Sequence, residues 1–241
     1  MPEAPPRLHM RVRGELACFS RPEFAVERTS YPWITPSAGR ALFEAVLWKP
    51  RIRWEIRQIR VLNPIRFTSF RRNEIATVTS SRISDTDMRM TDDDRQQRTT
   101  TALTQVEYVL SADLCLNAAV PADGPADNHG KYREMFQRRL DRGQVFHRPY
   151  LGCREFAADV EPAQGDETAI PVSMAHGIML YDFLFPVRYG ERGEHRDWQD
   201  GQRPRPLYFD AHLIDGVVQV PPRQHVLQAL PATLRPAGES T

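Results

Sequence analysis

A chain of 241 residues with 41% apolar side chains is long enough for one large domain or two small ones, with ample core. A formal net charge of +1 argues on its face against a nucleic-acid partner, and no apolar run approaches the roughly 18 residues needed to span a bilayer. The start, Met1-Pro2-Glu3-Ala4-Pro5-Pro6, lacks the apolar stretch of a secretory signal; Cys18, Cys115 and Cys153 fit structural thiols in a reducing cytoplasm, not a disulfide framework or a zinc spacing.

The first strand is expected over Leu8 to Phe19, with Leu8, Met10 and Val12 on one face. Thr35 before Pro36 predicts a helix N-terminus; Ala38, Ala41, Leu42, Ala45 and Val46 continue the helix until Pro50 ends it. Its small inward face predicts close packing on a sheet. Arg51 to Leu62 reads as a long strand whose alternation slips at Arg57, where a bulge or strong twist is expected. Phe67 to Ile75 is a short extended piece, and the polar stretch of about residues 79–98 is expected to be a mobile loop.

Thr104 to Leu116 is a further strand. After the turn-rich Pro121-Ala122-Asp123-Gly124-Pro125, Asp127 or Asn128 caps a second helix that runs to about Arg142, with Gly143 closing it. Cys153 to Val160 is the next predicted strand. Then come Ile178 to Phe185, Leu207 to Ile214 and Val217 to Val220, the last two joined by the hairpin signal Asp215-Gly216. Arg188 to Pro206 reads as an exposed insert and the proline-containing end from about Pro221 as a tail.

This order predicts an α+β protein: a ferredoxin-like (RRM-like) β-α-β-β-α-β domain over residues 1–165, a small C-terminal antiparallel β-sheet over 166–221, and a tail over 222–241. Charge is unevenly placed within it. From Arg51 to Arg72 seven arginines face one acid, Glu55, the local basic stripe that a phosphate backbone requires. Only two of the 32 basic residues are lysines: Lys49 lies where the first helix is expected to stop, Lys131 where the second begins. Asp85, Asp87, Asp92, Asp93 and Asp94 form an acidic run without the spacing of a cation loop.

Gly14-Glu15-Leu16-Ala17-Cys18-Phe19, Val26-Glu27-Arg28-Thr29-Ser30-Tyr31, Thr35-Pro36-Ser37-Ala38, Trp48-Lys49-Pro50, Pro64-Ile65, Arg71-Arg72-Asn73-Glu74, Gly130-Lys131 and Leu151-Gly152-Cys153-Arg154-Glu155 occur in this order. The series resembles the CRISPR-associated family five proteins of subtype I-C (the Dvulg group) from about residue 8 to 220. The resemblance implies an endoribonuclease that cleaves precursor CRISPR RNA repeats without a metal or other cofactor. The 2′-hydroxyl attacks the adjacent phosphate, leaving a 2′,3′-cyclic phosphate and a 5′-hydroxyl. It also implies a cytoplasmic subunit of the Cascade surveillance complex that holds the 5′ handle. Its partners are then CRISPR RNA, the Cascade backbone and large subunits, and target DNA through the assembled complex, with no membrane.

Such a reaction needs a proton acceptor, a cation for charge building on the phosphate, and an in-line geometry. The family's usual trio is a tyrosine before the Trp-Lys-Pro stop and a Lys-His pair at the start of the second helix. Carried over, the lysine is Lys131, whereas Leu47 and Tyr132 replace the tyrosine and the histidine. Tyr132 and the nearby His129 are the candidates to assist Lys131, His129 having an imidazole suited to proton transfer near neutrality. Candidate RNA contacts are Arg40, Lys49, Arg53, Arg71, Arg72, Arg133 and Arg154; Tyr31, Trp33, Phe67 and Phe70 are candidates for base stacking, with core packing the competing use.

Overall fold

The computed structural model describes residues 4–24, 27–75, 95–118, 120–184 and 204–231. Its architecture is mixed α/β and dominated by one sheet, ordered β6-β1-β5-β3-β9-β8-β7, with β2 and β4 also paired to β5. The elements are β1 (Arg7–Ala17), β2 (Arg28–Thr29), α1 (Pro36–Val46), β3 (Ile52–Val61), β4 (Phe67–Ile75), β5 (Arg95–Leu116), α2 (His129–Asp141), β6 (Asp159–Pro162), β7 (Met174–Leu184), β8 (Arg205–Ile214), β9 (Val217–Gln219) and α3 (Arg223–Gln228).

Alternation builds the centre of the sheet. Leu8, Met10 and Val12 of β1 are buried and lie opposite Ala112, Leu110 and Tyr108 of β5 in an antiparallel register. On the other side of β5, the β3 register shifts between Ile56 and Gln58, at the slip seen in the sequence. The extra residue there returns Ile59 and Val61 to the buried side with Ile52, Trp54 and Ile56. Asp215 and Gly216 both take positive φ (47° and 73°), as the tight β8–β9 hairpin requires.

The two longer helices, α1 and α2, begin with side-chain caps. Thr35 accepts a hydrogen bond from the Ala38 N–H at 3.3 Å, and Asn128 accepts one from the Lys131 N–H at 3.2 Å. Gly39 sits so close to β3 that a Cβ there would stand 3.2 Å from Ile56, which explains the small inward face of α1. The helices meet over Trp54: Phe43 of α1 and Phe136 of α2 stack at 5.3 Å between centroids, and Phe136 lies 4.8 Å from the Trp54 ring.

Several boundaries differ from the expected ones. α1 stops at Val46, short of Pro50, because Leu47 turns extended (φ −144°) and enters the core, its carbonyl accepting from Trp54 Nε1 at 2.9 Å. β5 starts at Arg95, so residues 95–98 of the expected loop are strand, paired with Arg72 to Ile75 of β4; the rest of that loop, with the Asp85 to Asp94 cluster, lies outside the described residues. The strand expected from Cys153 begins only at Asp159, since Gly152 (φ +83°) makes a turn pressed against the Cys18 carbonyl. Most of the 188–206 insert is also outside the described residues, β8 beginning at Arg205.

The chain from Pro221 onward is not all tail. Val226 and Leu227 are buried on α3, their apolar side chains enough to seat one short helix. The C-terminal strands do not form a detached sheet either: β9 pairs with β3 from Gln58 to Arg60, which makes them continuous with the N-terminal strands. Among the described residues no helix is long and apolar enough to cross a membrane, and the three cysteines are free thiols, Cys18 buried.

Candidate active site

With Asn128 as the cap of α2, the carboxylate of Asp127 is left for other partners. Its side chain is 2% exposed. Oδ1 accepts from Lys131 Nζ at 3.2 Å and from the Tyr132 hydroxyl. Oδ2 accepts from the Asp123 N–H at 3.1 Å and lies 3.5 Å from Arg51 Nε. The Lys131 ammonium also stands 5.3 Å from the Tyr132 ring centroid. Arg51 donates further to the carbonyls of Asn117 and Val120, tying the loop before α2 to the turn after α1.

These contacts fix protonation states. The hydrogen bond from Tyr132 is the first cause holding the Asp127 carboxyl below its ordinary range. Burial, then donation to Asp127, pushes the Tyr132 phenol up to about 12. At neutral pH the pair is carboxylate and neutral phenol, so Tyr132 donates and does not take a proton. Lys131, with its side chain 37% exposed, is the part of the cluster that reaches solvent. An ammonium has three donor protons and Asp127 uses one, leaving donors for a phosphate oxygen. His129 is the first residue of α2 and is half-buried, two residues from Lys131.

Of the sequence-predicted residues, Lys131, Tyr132 and His129 share this helix start, whereas Lys49 lies apart in the exposed turn after α1, two residues before Arg51. Leu47 is fully buried and brings only an aliphatic side chain to the tyrosine position. The proposed RNA contacts divide into two groups. Arg40 grips Asp182 through two 3.0 Å hydrogen bonds and Glu44 through one of 2.7 Å, joining α1 to β7. Arg53 donates to Glu55 at 2.7 Å; Arg72 donates to Glu155 at 2.6 Å while lying over the Phe70 ring. Lys49, Arg71, Arg133 and Arg154 are exposed, as is Arg53 despite its ion pair.

The basic stripe of the sequence is largely neutralised by carboxylates from elsewhere: Arg51 by Asp127, Arg57 by Asp113 at 3.2 Å, and Arg60 by Glu167 at 3.6 Å. Sequence spacing does not reveal such distant partners. Tyr31 and Trp33 are fully buried and serve the core, and Phe70 packs edge-on against Phe156; Phe67 is half exposed. Sequence reasoning missed the part played by Asp127 and Arg51. A signal for Asp127 was present, because Asp127 and Lys131 stand four residues apart with opposite charge.

The comparisons with known proteins point one way. The family model Cas_Cas5d, CRISPR-associated protein (Cas_Cas5), matches residues 7–221. The CRISPR pre-crRNA endoribonuclease Cas5d of Thermus thermophilus is 39% identical over 228 residues, covering 91% of this chain and 93% of the relative. The protein of the same description from Mannheimia succiniciproducens is 39% identical over 225 residues, covering 90% and 95%. Among solved structures, a crystal structure of a CRISPR-associated protein aligns with a TM-score of 0.65 at 17% identity, covering 92% of this chain and 95% of that one.

Proposed function

Because the chain belongs to the CRISPR-associated Cas5 family, in its Cas5d branch, we propose that it is an endoribonuclease that cuts precursor CRISPR RNA within the repeat and keeps the 5′ handle as a subunit of the type I-C surveillance complex (Cascade). The observation that carries this is 39% identity to two pre-crRNA endoribonucleases over 90% or more of the chain. The fold reads as ferredoxin-like at its core. The antiparallel order β6-β1-β5-β3, with α1 between β1 and β3 and α2 between β5 and β6, supports that reading.

In the reaction the ribose 2′-oxygen forms a bond to the scissile phosphorus, and the bond to the 5′-oxygen breaks. The products are a 2′,3′-cyclic phosphate and a 5′-hydroxyl. Lys131 meets the charge that builds on the phosphate oxygens. His129, whose imidazole can accept a proton, takes the one from the 2′-hydroxyl. Tyr132 acts as a donor and a wall for Lys131, given its bond to Asp127. Lys49, Arg71, Arg133 and Arg154 hold RNA phosphates. Arg40, Arg53 and Arg72 first hold protein elements through their ion pairs. The complex assembles in the cytoplasm with backbone and large subunits and meets target DNA as a whole.

A second reading, a handle-holding subunit that does not cut, is favoured by one observation: Leu47 is sealed in the core at the position where the family resemblance implies a proton-exchanging tyrosine. One assay separates the two. End-labelled repeat RNA is incubated with the purified protein in excess chelator, and the product ends are mapped. A discrete cut ending in a cyclic phosphate is expected; tightly bound, intact RNA would establish the second reading.

A further inference from the structure

Lys131 has a long, flexible side chain, and a cation that must search among rotamers contributes little to a transition state until it is fixed. Here it is fixed from two sides. Asp127 Oδ1 lies 3.2 Å from Nζ, and the Tyr132 ring centroid lies 5.3 Å from it. The same oxygen receives the Tyr132 hydroxyl, so the ring is held where it flanks the ammonium. The second oxygen is anchored in turn by the Asp123 N–H and by Arg51. Asp127 thus faces two cations, Lys131 and Arg51, and Lys131 is the one with more of its side chain open to solvent.

We propose that Asp127 is the positioning residue of this site, its carboxylate fixing the Lys131 ammonium for the scissile phosphate and clamping the Tyr132 phenol beside it. The proposal rests on the cleavage reading above. Asp127 itself is buried beneath the lysine and does not touch RNA; it acts through Lys131. It supplies to Lys131 the fixed orientation that a charge on a flexible stem lacks. Tyr132 thereby has a defined use in the position of a histidine: its phenol completes the seat without exchanging a proton.

The test uses the full-length protein with Asp127→Asn, which keeps the size and removes the charge, and Asp127→Glu, which keeps the charge. Affinity is measured on repeat RNA carrying a 2′-deoxy nucleotide at the cut, and the rate in single turnover on the all-ribose repeat. Asp127→Asn should bind within about twofold of wild type and cut at least about tenfold more slowly, a loss confined to the chemical step. Asp127→Glu should retain the rate within about threefold, because the anchored charge persists. Selective ¹³Cε-lysine labelling adds a readout apart from activity, since this chain yields only two signals. The Lys131 signal should move in Asp127→Asn while the Lys49 signal stays. A wild-type rate in Asp127→Asn, or a Glu variant as slow as the Asn variant, would overturn the proposal. Wild-type protein that binds the repeat without cutting it overturns the cleavage reading instead, and the positioning role with it.

Discussion

Two lysines in a chain of arginines differ in what surrounds them. Lys49 is exposed in a turn, whereas Lys131 is seated between a buried carboxylate and an aromatic ring. That seat suits a compact ammonium more than a planar guanidinium. Lys131→Ala should therefore lower the single-turnover cleavage rate by about 10²-fold with little change in melting temperature, as for loss of one preorganised donor at a developing anion. Lys131→Arg should recover only part of the rate although it restores the charge. An unchanged rate in Lys131→Ala would remove the residue from the mechanism. Leu47 allows a complementary expectation. A tyrosine there adds bulk and a hydroxyl to a fully buried aliphatic site, so Leu47→Tyr should lose about 1–3 kcal/mol in urea denaturation. At this scale the sequence disclosed which side chains depart from the usual trio. It did not disclose the Asp127 cluster, because Arg51 reaches Asp127 only once the loop before α2 has folded back. Nor did it show that Arg40, Arg53 and Arg72 already hold carboxylates, two of them far along the chain.

α2 carries the proposed site, and Phe136 holds α2 in place. Its ring is fully buried between Phe43 and Trp54, so Phe136→Ala leaves a cavity under the helix and should cost about 3–5 kcal/mol. Cleavage should fall as well, even well below the melting temperature, because Lys131 lies on the helix that this ring seats; circular dichroism melts and single-turnover rates on one preparation check both. Signals that act locally made the elements legible. The Thr35 and Asn128 caps, the slip at Arg57 and the Asp215-Gly216 turn all depend on residues within a few positions of one another. Boundaries set by distant partners were not legible. β5 extends back to Arg95 because β4 lies beside it, and α1 ends early because Trp54 receives the Leu47 carbonyl. β6 begins late because Gly152 must pass against the Cys18 backbone.

Across the whole molecule, burial sets the response to alkali. Tyr31, Tyr108, Tyr132 and Tyr181 are all held above the ordinary phenol range, burial being the first cause in each, with Tyr132 at about 12. Burial likewise pushes the Cys115 thiol up to about 12. An unfolded chain releases these protons near about 8.5 for the thiol and about 10 for the phenols, while the native protein retains them. The native state then binds more protons, so stability is lost as pH rises through this window. The urea midpoint should begin to fall above about pH 8.5 and fall more steeply above about pH 10. A midpoint that stays level to about pH 11.5 would contradict it. The mixture of strands with a few helices was visible in advance, since each element is written in neighbouring residues. The β9–β3 junction was not, because those strands are separated by most of the chain. β5 has a further consequence, for synthesis. Among the described residues β1, β2, β3 and β4 form no ladder with one another, and each pairs with β5. A growing polypeptide thus emerges with four strands awaiting a single template, β5, and β9 joins β3 only after a long further stretch of chain has been made. The centre of the sheet can therefore close soon after β5 is made, while the β9–β3 pairing must wait for a strand much further along the chain, and such long-range closure sets the pace of folding.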